Sequence, residues 1–128
     1  MEEQLITFET AQLAKEKRFN WKVLYHCSEK GIGEEWKDGH KGRDVNFNNR
    51  WTYKCYSAPT QSLLQKWLRE VHSIDVEPRL ANQEFKKSYY FAIHKYIEYR
   101  EQLHHTNIRY DSYEQALEYG LLEALKLI

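Results

Sequence analysis

The stretch from residue 84 to residue 100 constrains the fold most, because its aromatic and aliphatic residues fit either a strand or a helix. In an extended chain, successive side chains point to opposite sides. One side would then carry Tyr89, Phe91, Ile93 and Ile97, and the other Tyr90, His94, Tyr96 and Arg100. In a helix, a different set would align, namely Phe85, Tyr89, Ala92, Ile93, Tyr96 and Tyr99. Tyrosine, phenylalanine and isoleucine are enriched in strands, so the stretch is predicted to be a strand.

Two amphipathic helices are predicted from apolar stripes at helical spacing. The first begins at Pro59, because proline fits the first helical position, and it ends near His72. Its stripe consists of Leu63, Leu64, Trp67, Leu68 and Val71. The second follows a capping box at Asp111 or Ser112. Its stripe consists of Tyr113, Ala116, Leu117, Gly120, Leu121, Ala124, Leu125 and Ile128.

Gly120 is unusual inside the second helix. Glycine costs about 1 kcal/mol relative to alanine in a helix interior. A close neighbour is therefore predicted to occupy the space that a side chain at Gly120 would need.

The remaining elements are shorter. A helix is predicted at 8–17 after the N-cap Thr7, and an alternating strand at 21–28. The glycines between 31 and 42 indicate a loop or an irregular hairpin, and a second hairpin is predicted to turn at 48–49. Residues 74–77 form a short predicted strand that Pro78 stops.

These elements follow the order α–β–β–β–α–β–β–α. They predict an α+β fold with a mostly antiparallel sheet of about four or five strands and about three helices on one face. A chain of 128 residues has the usual length of one domain, so residues 1–128 are predicted to form a single domain.

Composition limits the functional classes. The 19 basic and 19 acidic residues cancel, so no long-range field attracts nucleic acid or an anionic membrane. No apolar stretch approaches the roughly 20 residues that span a bilayer, and no membrane association is predicted. Only Cys27 and Cys55 are present, and the acidic start at residues 1–4 does not resemble a signal peptide. A cytoplasmic location is expected.

Two segments carry a resemblance: YSAPTQSLLQKWLRE at 56–70 and YEQALEYGLLEALKLI at 113–128. They resemble a group of short uncharacterised proteins of gut Bacteroidales bacteria and their prophages. The two segments cover about a quarter of the chain, and each is also explained by a capped amphipathic helix. The group has no assigned reaction, cofactor or catalytic residue. The resemblance therefore implies only an accessory protein of a bacterial or phage genome.

Two kinds of ligand site have simpler explanations. Gly31-x-Gly33 and Gly39-x-x-Gly42 have the spacing of phosphate-binding loops, but no helix is predicted after Gly42, so turn glycines are favoured. His26, Cys27, Cys55 and His40 are candidate metal ligands. They lack the tight spacing of a zinc site, and both cysteines are predicted to be structural thiols. No cofactor and no metal are predicted.

Catalytic pairs are equally weak. His104 and His105 with Asp111, or His94 with Glu98, are candidate base–carboxylate pairs. With six histidines and 19 acidic residues, such pairs arise by chance, and no catalytic motif supports them. His104 and His105 are predicted to lie in a solvated loop. The chain is predicted not to be an enzyme.

A surface patch is the strongest candidate. Tyrosines next to cations suit a binding surface, and the predicted face consists of Lys86, Tyr90, His94, Lys95, Tyr96 and Arg100. The favoured function is a non-enzymatic binding or adaptor domain for a protein partner. The alternative is weak single-stranded nucleic-acid binding by the same aromatic–basic face. A third interpretation is that the face complements the acidic C-terminal helix, in the same chain or in a second copy.

Overall fold

The computed structural model describes residues 3–28, 31–33, 46–49, 55–83, 86–97 and 100–128. The chain divides into two compact units, Met1–Ser62 and Leu63–Ile128. Each unit is described separately below. The single domain predicted for residues 1–128 remains a prediction.

Helix α1 of the first unit spans Phe8–Glu16, as predicted. The side chain of Thr7 caps it by accepting a hydrogen bond from the backbone N–H of Thr10. One face of the helix is buried through Ala11 and Ala14. The chain leaves the helix through Arg18, whose φ of 67° turns the backbone sharply.

A three-stranded antiparallel sheet follows in the order β2-β1-β3. Strands β1, β2 and β3 span His26–Ser28, Gly31–Gly33 and Tyr56–Ser57. The strand predicted from residue 21 therefore begins only at His26. Gly31–Gly33 pairs with β1 as the second arm of a hairpin, and the other predicted turn glycines lie outside the described residues.

The hairpin turn predicted at 48–49 is wrong. Phe47–Asn49 forms a short 3-10 helix instead. The side chain of Asn48 donates to the carbonyl of Phe19 over 2.9 Å and accepts from the N–H of Ser57 over 2.8 Å. These bonds to distant backbone take the place of the expected turn, while residues 45 and 51–54 of its arms lie outside the described residues.

Helix α2 spans Gln61–His72 and ends where predicted. Its start is later than predicted, because Pro59 is engaged before the helix begins. The carbonyl of Pro59 accepts a hydrogen bond from the N–H of Ile6 over 3.1 Å, and Thr60 pairs with Leu5. In the predicted apolar stripe, Leu64, Trp67 and Leu68 are buried, whereas Val71 is exposed.

The second unit contains a larger antiparallel sheet in the order β4-β5-β6. Strand β4 spans Ile74–Gln83, β5 spans Lys86–Ile97 and β6 spans Arg100–His105. The strand predicted for the stretch 84–100 is thus confirmed in β5. Arg100 does not continue it, because the chain reverses and Arg100 begins β6 opposite Ile97.

The prediction that Pro78 ends a strand is wrong, because β4 continues through it. The N–H of Tyr96 donates to the carbonyl of Ser73, which fixes which residues of β4 bond to β5. Pro78 stands opposite Phe91, at a position where a backbone N–H would point away from β5. The N–H that proline lacks is therefore not needed in the ladder, as is usual for proline in an edge strand.

Helix α3 spans Tyr113–Leu125 and lies against β4 and β5. Its N-cap is Ser112, whose hydroxyl accepts from the N–H of Gln115, while the Gln115 side chain accepts from the N–H of Asp111. A Cβ atom added to Gly120 would lie 2.7 Å from Val76 Cγ1 and 3.1 Å from Phe91 Cβ. The predicted close neighbour is confirmed.

The α+β class and three helices are confirmed among the described residues. The described strands form two three-stranded antiparallel sheets, whereas one sheet of about four or five strands was predicted. In the described part of the chain, the helices are too short or too polar to cross a membrane.

Candidate functional site

The candidate site lies on the side of the β4–β5–β6 sheet that faces away from α3. Val76 and Phe91 face α3 at Gly120, so the residues alternating with them face the other way. The strand register places Asp75 and Leu103 beside His94, and Arg79 beside Tyr90. We call this side the outer face, and it comprises Asp75, Glu77, Arg79, Tyr90, Ala92, His94, Tyr96, Glu101, Leu103 and His105.

His94 is the centre of a polar cluster on the outer face. Its Nδ1 is hydrogen-bonded to the carboxylate of Glu101. Its Nε2 lies 3.2 Å from Nη2 of Arg79 and 3.4 Å from Oε2 of Glu77. In a neutral ring, a proton on Nδ1 would donate to Glu101 and leave Nε2 to accept from Arg79. With only 15% of its side chain exposed, the ring is held firmly in place.

Arg79 and Glu77 complete this cluster with an ion pair of 3.0 Å. The hydrogen bond from Arg79 lowers the pKa of the Glu77 carboxyl below its ordinary value of 4.5, and the charge of Arg79 and the nearby His94 ring act in the same direction. Glu77 is therefore ionised at neutral pH. Because both carboxylates of the cluster contact cationic or donor groups, its side chains are fixed relative to one another.

Tyr90 lies beside the cluster and is partly covered. The guanidinium carbon of Arg109 stands 4.9 Å from the centre of its ring, which is a cation–π contact. The ring of His105 lies 6.4 Å away on the neighbouring strand. Tyr90 thus presents only part of its ring to solvent.

Two residues of the outer face are exposed and apolar in character. Tyr96 is 51% exposed and Leu103 is 45% exposed. Next to Tyr96 lies a cavity of about 330 Å³, lined by Gln65, Asp75, Val76, Glu77, His94 and Tyr96. The outer face therefore combines an ordered polar cluster with two open hydrophobic contacts.

A second cavity lies on the α3 side of the sheet and holds about 550 Å³. Its lining includes Phe91, Tyr110 and Tyr119, and Tyr110 stacks on Tyr119 with ring centres 5.0 Å apart. Burial raises the pKa of Tyr110, and the neighbouring charges of Tyr119 and Glu123 act in the same direction. The cavity has a mixed aromatic, aliphatic and polar lining, and it shares no lining residue with the cavity beside His94.

No family model, curated protein or solved structure matches this chain. The resemblance of its two helical segments to Bacteroidales proteins therefore stays a prediction. A function for the chain has to be argued from its own geometry.

The structure brings half of the predicted face together. Tyr90, His94 and Tyr96 lie on the outer face. Lys95 does not, because it alternates with them, and its Nζ donates over 2.8 Å to the carbonyl of Leu127 after α3. The backbone of Lys86 pairs with Gln83 and that of Arg100 with Ile97, while their side chains lie outside the described residues.

The charge predicted for this face also needs correction. Sequence predicted a basic surface, whereas the described outer face carries Asp75, Glu77 and Glu101 beside Arg79. Glu77 lies in the strand predicted at 74–77, whereas Arg79 lies beyond Pro78, where the strand was not predicted to continue. The alternation of Asp75, Glu77 and Arg79 across Pro78 was the available signal.

The other sequence candidates are not assembled into sites. His104 and His105 lie on strand β6 and not in a loop, and His94 binds Glu101, while Glu98 lies outside the described residues. Burial, together with the nearby Cys55, raises the pKa of the Cys27 thiol to about 11. Cys27 is therefore a protonated, buried thiol, and in the described part of the chain no three candidate ligands converge as a metal site would require.

Proposed function

We propose that this chain is a non-enzymatic binding domain that engages a protein partner through the outer face. The observation that carries the proposal is the pre-formed cluster of Glu77, Arg79, His94 and Glu101 next to the exposed Tyr96 and Leu103. Its bacterial or prophage origin and its cytoplasmic location remain predictions from the sequence.

Two features of this arrangement support a protein-binding surface: an exposed tyrosine and a set of polar side chains that are already ordered. Tyrosine is enriched in interfaces, where its ring provides contact area and its hydroxyl provides a hydrogen bond. Ordering a flexible side chain on binding costs about 0.5–1.5 kcal/mol. The clustered side chains around His94 are already held by mutual hydrogen bonds, so much of that cost is met before a partner arrives.

The same geometry disfavours the nucleic-acid alternative. Single strands are bound by cations that reach phosphates and by aromatic rings that are open for stacking. Here Arg79 is paired with Glu77, and Arg109 covers Tyr90. The carboxylates of Glu77 and Glu101 would repel phosphates. A protein with complementary polar groups is the better fit.

Site-specific photocrosslinking tests the proposal. Benzoylphenylalanine replaces Tyr96 in the chain expressed in the organism that encodes it, and Tyr119 provides a matched control. Tyr119 is 46% exposed, against 51% for Tyr96, but it lies on α3. We expect a discrete crosslinked protein from position 96 and not from position 119. No crosslink, or the same crosslinks from both positions, contradicts the proposal.

The captured partner is then purified and its affinity measured by calorimetry. Tyr96→Ala and Leu103→Ala should each weaken binding by at least about tenfold, as truncation of a central contact does. Tyr119→Ala should leave the affinity unchanged. Equal affinity of Tyr96→Ala and the parent chain would show that another surface is used.

Oligonucleotide binding tests the alternative function. Affinity for single strands would fall steeply as salt rises, because counterions are released on binding. We expect no binding to mixed-sequence single-stranded DNA or RNA even at low salt. Tight, salt-sensitive binding that Tyr96→Ala removes would favour the nucleic-acid function.

A further inference from the structure

Among the described residues, strand β6 forms an edge of its sheet, since β5 is its one neighbour in the order β4-β5-β6. The N–H of Thr106 donates to the carbonyl of Phe91 over 3.3 Å, which fixes the alternation of the ladder. Positions 100, 102 and 104 therefore bond to β5. The backbone groups of Glu101, Leu103 and His105 point away from the sheet, and no described residue bonds to them.

The opposite edge differs. On β4, the outward positions are Ile74, Val76, Pro78, Leu80 and Asn82. Pro78 has no N–H to offer, and the carbonyl of Val76 already accepts from the side chain of Gln65 over 2.5 Å. Proline and capped groups are devices that block strand addition. Strand β6 lacks both, and the side chains of residues 101–105 are exposed.

We infer that two copies of this chain pair through their β6 edges and join their sheets into one antiparallel sheet. Antiparallel strands of identical chains are related by a two-fold axis perpendicular to the sheet. Such an axis keeps each outer face on the same side, so residues that stand opposite each other must share a face. Glu101, Leu103 and His105 meet this condition, because all three belong to the outer face.

The register follows from these three residues. A pairing centred on Leu103 places Leu103 opposite its copy and Glu101 opposite His105 on both sides of the axis. It uses the outward backbone groups at all three positions. This register also brings the two exposed Leu103 side chains into contact, and it sets the Glu101 carboxylate opposite the His105 imidazole. Cross-strand pairs of both kinds stabilise neighbouring strands.

Other registers are less favourable. A pairing centred on Glu101 sets two carboxylates directly opposite each other, which is destabilising. In a pairing centred on Gln102, Glu101 of one chain stands opposite Leu103 of the other, and His105 has no partner within β6. Charge and hydrophobic contact thus both select the register centred on Leu103.

Self-association through β6 is independent of the partner proposed above, because it is measured with purified chain and no other protein. Light scattering and sedimentation are recorded from about 5 to 500 µM, where weak interfaces associate. We expect the mass to rise from that of one chain to that of two. A monomer over the whole range overturns the inference.

Leu103→Pro is the decisive variant. It removes an N–H that points away from β5, just as Pro78 lacks one in β4, so the sheet should tolerate it. We expect its dimer dissociation constant to rise by more than about tenfold, while Leu103→Ala, which keeps the N–H, shows a smaller rise. Circular dichroism checks that the fold is retained. A folded Leu103→Pro chain that dimerises like the parent overturns the proposed edge.

Charge exchange and crosslinking test the register. His105→Glu should weaken the dimer because it faces Glu101, and adding Glu101→Arg should restore it. In addition, Leu103→Cys should crosslink to itself with a short bis-maleimide, whereas Val71→Cys, on the exposed side of α2, and the parent chain should not. Failure of Leu103→Cys to crosslink above these controls contradicts the register, and this result does not depend on Leu103→Pro folding.

Discussion

The two sides of the β4–β5–β6 sheet differ in chemistry, although they are formed by alternate residues of the same strands. On the α3 side, Val76 and Ile93 are 2% and 1% exposed and make apolar contacts. On the outer face, the adjacent residues Glu77 and His94 take part in hydrogen bonds and ion pairs. Neighbours in sequence should therefore differ sharply in what they contribute, with stability on one side and surface chemistry on the other.

The largest expected effect comes from Ile93→Ala. Removing buried methyl groups leaves a cavity, so the free energy of unfolding should fall by about 2–5 kcal/mol. His94→Ala, one residue further along, should cost about 0.5–1.5 kcal/mol, because Glu101 and Arg79 regain contact with water. Urea unfolding measures both values. Equal losses would mean that the two sides are not energetically distinct.

A smaller effect is expected for Gly120→Ala. In an open helix this change stabilises by about 1 kcal/mol. Here the new methyl group would meet Val76 at 2.7 Å and Phe91 at 3.1 Å. Overpacking of this kind costs about 1–3 kcal/mol, so we expect a net loss of stability in thermal or urea unfolding.

The matching helix position gives the control for Gly120. Glu123→Ala introduces alanine on the exposed side of α3 and removes a solvent-exposed ion pair of 2.9 Å with Lys126. Exposed pairs of this kind contribute at most about 1 kcal/mol, so the stability should change little. A stabilised Gly120→Ala chain would show that the sheet yields to the helix more easily than the geometry indicates.

The smallest effect concerns Glu77 on the outer face. Arg79 lowers the pKa of Glu77 in the folded chain below 4.5, so the folded state binds this proton less tightly than the unfolded chain does. The contribution of Glu77 is present above the unfolded pKa and is lost as the pH falls through the lowered value. Glu77→Gln should therefore show a shallower loss of stability than the parent between about pH 5 and pH 3. Identical pH profiles would contradict the ion pair.

Local patterns predicted the elements whose residues decide their own conformation. The Thr7 and Ser112 caps and the alternation of β5 are confirmed. The apolar stripes of α2 and α3 are confirmed at their centres, whereas their end residues Val71, Tyr113 and Ile128 are exposed. Gly120 was also interpreted correctly, since a glycine at a core position of a helix indicates a close neighbour.

The elements that depend on distant partners were not predictable in this way. A proline interrupts a strand only at a position where the ladder needs a backbone N–H. The sequence does not show that β4 lies at the edge of its sheet, where position 78 needs none. Asn48 adopts a 3-10 helix because it binds Phe19 and Ser57, which are far away in sequence. Strand β6 lacks an alternating apolar pattern because the side chains of residues 101–105 are exposed.

The candidate site shows the same division. Alternation along one strand correctly grouped Tyr90, His94 and Tyr96. The partners of His94 come from the neighbouring strands, so Glu77, Arg79 and Glu101 were missed. Lys95 was included for its charge although its position in the alternation already placed it on the other side.

Pro78 also bears on how far the proposed pairing of sheets could extend. A sheet with two receptive edges can add copies at both ends and extend into a filament, whereas a sheet with one receptive edge is closed by a single pairing event. At the β4 edge, Pro78 has no N–H to donate and the carbonyl of Val76 is already bonded by Gln65. Strand addition at β6 alone would therefore produce a dimer that does not extend further. One proline at this edge position would thereby restrict the proposed association to two chains.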